Sequence, residues 1–179
     1  MATATQTGAG KTTRKTTSAR KATSSRAKDA IAVLKDQHRE VEKLFGQFKK
    51  ARGEDRQAKL CEQICTELKI HTRIEEELLY PRAHDELSDA SLVDEAYVEH
   101  NAAKDLIGEI EQTDPGDEMF EARMQVLEEQ IRHHVKEEEG ELFPKIRKTD
   151  MDLKAIGEAL QQRTKELRSE MGGDGRGVH

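Results

Sequence analysis

The sequence predicts an all-α protein: an antiparallel up-down-up-down four-helix bundle, preceded by a disordered basic tail and followed by a short C-terminal helix. Three observations predict it. Charged residues make up 37% of the 179-residue chain, Trp is absent, and three prolines interrupt long stretches rich in Glu, Lys, Leu and Ala. Such a composition favours helix over sheet. Apolar residues recur at helical spacing in successive segments joined by short connections, the pattern of neighbouring amphipathic helices. The chain also repeats itself: HTRIEEELLYP, from His71 to Pro81, returns as HVKEEEGELFP from His134 to Pro144, with His, Glu four residues on, a Leu-aromatic pair and Pro at matching offsets.

Residues 1–28 hold Lys11, Arg14, Lys15, Arg20, Lys21, Arg26 and Lys28 ahead of the first acid, Asp29. The chain's formal −6 less this +7 leaves about −13 on the body. With no hydrophobic periodicity the tail cannot bury enough surface to offset its ordering entropy. It offers a weak contact for an anionic surface or nucleic acid by counterion release, although no aromatics are interleaved for stacking. QTGAGKTT within it resembles part of a phosphate-binding loop but lacks the preceding strand such a loop needs. No apolar run is long enough to cross a membrane and no secretory signal is evident, so a cytoplasmic protein is expected, a monomer or dimer.

Helix A is expected from Asp29 to Lys50, with Ile31, Leu34, Val41 and Phe45 on one face around His38 and Gly53 just past the end. Glu42 shares that stripe one turn after His38. Helix B begins near Arg56, with Leu60, Ile64, Leu68 and Leu78 lining up with His71 and Glu75, while Arg73, Glu76 and Glu77 point elsewhere; Pro81 marks its end or a kink. Cys61 and Cys65 on this helix are read as small apolar residues rather than a bridge. After the longest connection, helix C spans Leu92 to Glu111 with Val93, Ala96, Ala103 and Ile107 around His100. TDPGD turns the chain into helix D, Glu118 to Lys148, which sets Phe120, Met124, Leu127 and Ile131 on the face of His134 and Glu138 and leaves His133 off it. These helices form a unit over residues 29–148. Residues 149–179 supply Leu153, Ile156, Leu160 and Leu167 as a fifth helix covering the bundle or making a subunit contact, then a flexible GGDGRGVH.

The flanks repeat as well. His38 and His100 each have leucine six residues on, an apolar residue seven on and glycine eight on, and each precedes its paired motif by similar distances, 33 and 34 residues. Two helices thus contribute one His and two contribute His-x-x-x-Glu, placing His38, His71, Glu75, His100, His134 and Glu138 at core positions. Burying six polar groups without partners would cost several kcal/mol each, and convergence on metal removes that penalty. Four imidazoles and two carboxylates exceed one tetrahedral zinc shell but suit two metals bridged by the carboxylates. Imidazole with carboxylate and open positions favours iron, with manganese and zinc as competitors.

The order His, His-x-x-x-Glu, His, His-x-x-x-Glu, with LLYP and LFP after the paired motifs, resembles the bacterial branch of the hemerythrin-like, HHE cation-binding family over about residues 29–148. The resemblance implies a four-helix bundle around a non-haem di-iron centre, two Fe ions with an oxo or hydroxo bridge, that binds or reacts with O2, peroxide or nitric oxide in sensing, detoxification or stress response. It carries His38, His71, Glu75, His100, His134 and Glu138 over as ligands. Oxygen carriers of the family have a second His one turn after the third-helix His, where this chain has Lys104, and an Asp five residues after the last His, where it has Glu138 four after. Glu42 is then a candidate for an extra carboxylate ligand. Two alternatives remain: a ferritin-like iron store, disfavoured because it would be carboxylate-rich, and a metal-stabilised regulatory or interaction module that reports iron or redox state.

Overall fold

The computed structural model describes residues 1–3 and 28–173; expectations for most of the basic tail and for the last six residues lie outside the described residues. The α-helices of the described residues are α1 (Ala30–Phe48), α2 (Glu54–Ile74), α3 (Tyr80–Glu86), α4 (Ser91–Glu111), α5 (Glu118–Glu137), α6 (Phe143–Ile146) and α7 (Leu153–Gly173), and no strand occurs among those residues. Asp29 caps α1 by accepting the Ala32 amide at 2.8 Å, and Arg147 at 3.1 Å ties that cap to the residue after α6. Helix α1 stops at Phe48, two residues short of expectation, and Gly53 at φ 88° turns the chain into α2.

Helices B and D do not run as expected. Each contains a single π-helical turn, Glu75–Leu79 and Glu138–Leu142, beginning at its buried glutamate. Tyr80 N–H reaches back five residues to Glu75 C=O, and Phe143 N–H to Glu138 C=O. Proline comes next in each, at Pro81 and Pro144, and a proline can neither donate to nor sit comfortably against the carbonyl four residues back. The widened turn relieves both problems, so Pro81 neither ends nor breaks the path, and α3 continues to Glu86. The extra residue also rotates the downstream side chains: Leu79 is buried, whereas Leu78, expected on the stripe, is only partly so.

Two apolar clusters fill the interior. One joins Ile31 and Leu34 of α1 to Ile70 and Ile74 of α2, Val93 of α4, Phe143 of α6 and Ile156, Leu160 and Leu167 of α7. The other joins Val41 and Phe45, Leu60 and Ile64, Ile107, and Phe120 and Met124. Cys61 and Cys65 belong to the second as free buried thiols with sulfurs 3.9 Å apart. On α1, α2, α4 and α5 the histidine falls near the junction of the two clusters. Helix α7 is not the short helix expected but runs for 21 residues, because its apolar face continues to Leu167, and it packs on α1 and α2, the covering role of the two expected for it. Its close approach depends on Gly157, where a Cβ would lie 2.5 Å from the Lys28 carbonyl oxygen.

Candidate metal centre

The six residues expected at the core are all buried, and their functional atoms converge. Nε2 of His38 and His71 lie 3.0 Å apart, and Nε2 of His100 and His134 3.3 Å apart. Both carboxylates span the two pairs. Glu75 Oε2 is 3.2 Å from His71 Nε2 and 3.4 Å from His100 Nε2, and Glu138 Oε2 is 3.3 Å from His38 Nε2 and 3.7 Å from His134 Nε2. The donor atoms form two overlapping groups able to hold an ion: His38, His71, Glu75 and Glu138, and Glu75, His100 and His134.

Each imidazole is held from behind. Nδ1–H of His38 donates to Glu139 at 2.9 Å, that of His71 to Gln37 at 2.9 Å, that of His100 to Glu76 at 2.9 Å and that of His134 to Glu99 at 2.8 Å. Since those oxygens can only accept, each Nδ1 keeps its proton, and in the neutral rings the four Nε2 lone pairs turn inward. Lone pairs 3.0 Å apart repel unless a cation lies among them. Glu75 Oε1 and Glu138 Oε2 are buried without a hydrogen-bond partner, a cost that a bound cation would remove. The residues present therefore fit a metal.

Without metal, protons do part of this work. Burial opposes protonation of His38, but Glu138, Glu75 and Glu139 outweigh it and raise its pKa above 6.5; His134 is raised likewise, burial being overcome by Glu99 and Glu138. Burial, then the neighbouring histidines, holds His71 well below 6.5. Burial and the adjacent Glu138 push Glu75 well above its usual range, while burial of Glu138 is overcome by His38, His134 and His100, which draw it down.

Five contributors escaped the sequence reading. Glu76, taken to point elsewhere, crosses to His100 and is fixed by Lys104 at 2.6 Å; Glu139 does the same for His38 and pairs with Lys35 at 3.0 Å. Gln37 and Glu99 are the residues just before His38 and His100. The available signal was a polar residue before each single His and a second Glu after each paired motif. Tyr80, read only as part of LLYP, places its hydroxyl 3.0 Å from Glu138 Oε1 and 3.3 Å from His100 Nε2. Its counterpart Phe143 stacks on His38 with ring centroids 6.0 Å apart.

Glu42 is not brought into the donor cluster. It is exposed, because one turn beyond His38 the helix has carried its side chain to the rim of a cleft between α1 and α5. This cleft, about 500 Å³, is floored by His38, Phe45, Ile131 and Val135. His133 is exposed, as expected.

Such a site, with two His-x-x-x-Glu helices and two single-His helices around one polar interior, defines a helical cation-binding protein. Residues 29–146 match the model of the hemerythrin HHE cation binding domain, and the chain belongs to that family. It is similar in structure to a hemerythrin HHE cation-binding domain-containing protein from Mycobacterium kansasii, described as an Rv2633c homolog, with 25% identity, a TM-score of 0.70 and coverage of 80% of this chain and 89% of the other. It is also 30% identical over 115 residues to a protein named DNA nickase from Nostoc sp. strain PCC 7120; the match covers 64% of this chain but 32% of that relative. No helix among the described residues is long and apolar enough to cross a membrane.

Proposed function

We propose that this protein holds two iron ions and uses them to react with O2, peroxide or nitric oxide. His38 and His71 would ligate one ion, His100 and His134 the other, with Glu75 and Glu138 spanning both, in a bundle whose helices α1, α2, α4 and α5 alternate in direction. The observation that carries the reading is the pair of orphaned buried carboxylate oxygens set among four inward-facing imidazole nitrogens. Iron in this setting supplies redox chemistry and positions open to a small ligand.

The chain's own residues bias that chemistry. Burial, Glu138 and Glu75 raise the Tyr80 pKa well above 10, so its proton stays available beside Glu138 and His100. Phe143 keeps the His38 side apolar. The cleft over His38 gives a small molecule a route inward. With Lys104 bound to Glu76 in place of a further imidazole, turnover is favoured over reversible oxygen carriage.

Metal analysis with an optical spectrum should return two irons per chain, and stopped-flow mixing of reduced protein with O2 should give rapid oxidation. A chain without iron after anaerobic loading would overturn the reading, and a long-lived charge-transfer absorption after mixing would replace turnover with carriage. A second reading, a metal-stabilised module whose basic tail touches nucleic acid, draws on the relative named DNA nickase. Unchanged DNA retention after deletion of residues 1–27 would remove it.

A further inference from the structure

Among the described residues, the second half of the bundle carries a further cluster of donors that the first half lacks. Ile70 precedes the first paired motif and Ile74 lies within it, and both are fully buried in the cluster that α7 covers. Gln37, which accepts from His71, donates to Thr164 of α7 at 3.2 Å. The corresponding places in the second half hold His133, Glu137 and Glu99. There the side chains are 60%, 31% and 23% exposed.

His133 Nε2 lies 3.2 Å from Glu137 Oε1 and 3.6 Å from Glu99 Oε1, and the three donor atoms come from two helices. An i,i+4 ion pair would explain His133 with Glu137 alone. Glu99 Oε1 faces the same ring nitrogen, which carries at most one proton for the two carboxylate oxygens around it. One cation satisfies all three donors. Glu99 is also divided in its duties: Oε2 takes the Nδ1–H of His134 at 2.8 Å, while Oε1 faces the surface group.

We propose that His133, Glu137 and Glu99 form a second, surface site for a divalent first-row cation, completed by water and joined to the buried centre through the Glu99 carboxylate. One imidazole with two carboxylates is a borderline donor set that takes Zn2+, Mn2+ or Fe2+.

The test is a calorimetric titration of the full chain with Zn2+, comparing wild type with H133A, E137Q and H84A. Wild type should take up one equivalent more than H133A, and E137Q should weaken that equivalent by about tenfold or more. H84A removes another exposed imidazole and should change nothing. Equivalents common to all chains read the buried centre, so failure of the di-iron reading and failure of this site are told apart. Equal stoichiometry and affinity in wild type and H133A would overturn the proposal, as would an equal loss in H84A. Matching circular dichroism would confirm that these surface variants fold.

Discussion

Glu76 illustrates how a residue that binds no metal can still govern a metal centre. Held by Lys104, it fixes the tautomer and orientation of His100 and adds to the basicity of its inner nitrogen. Glu76→Gln keeps the shape but removes the charge, and should weaken metal retention by about 10- to 100-fold in a chelator competition. Retention equal to wild type would assign Glu76 to helix packing alone. The metal-free chain also carries a pH signature. His38 and His134, raised above 6.5, contribute stability that is present below that value and lost as pH rises through their folded pKa values; Glu75, also raised, adds loss of the same sign. His71 acts oppositely, but only below 6.5. Urea midpoints of the metal-free protein should therefore fall as pH rises above about 6.5, and a rising midpoint would contradict this arrangement of charges. The six inward donors were legible because each lies on an apolar stripe and the repeat selects it twice. Glu76, Glu139, Gln37 and Glu99 were not, because on a single helical wheel they resemble solvated residues, and only the neighbouring helix gives them a partner.

At the scale of elements, the π turns and α7 decide how the helices meet. A proline ordinarily signals the end of a helix, so the continuation through Pro81 could not be read from one copy of the motif. The burial of Leu79 in place of Leu78 results from the wider turn. Helix α7 was recognisable from Ile156, Leu160 and Leu167, but its partners were not, because an amphipathic face does not say what it covers. Gly157 supplies the test of its seating. Gly157→Ala forces a methyl group into the backbone of residues 28–30 and should destabilise the chain by about 1–3 kcal/mol in urea unfolding. Gly46→Ala, where a Cβ meets nothing within 4 Å, should be neutral or stabilising by up to about 1 kcal/mol. Similar losses in both would locate the effect outside the α7 contact.

Across the whole molecule, a polar layer separates two apolar clusters, and α1, α2, α4 and α5 all pass through it. Apolar burial holds each end together, but the middle retains two unpartnered carboxylate oxygens when metal is absent. Stripping metal should therefore lower the urea midpoint and speed proteolysis within the bundle. Restoring it at about a thousand times its Kd should return about 4 kcal/mol. Equal midpoints with and without metal would mean that protons alone satisfy the layer.

The seating of α7 gives this otherwise doubled molecule a front and a back. One flank of the polar layer is roofed by Ile156, Leu160 and Leu167, while on the opposite flank Glu99 and His133 meet water. The roof closes one flank of the layer and leaves the other bare, so the repeated sequence does not give two interchangeable doors.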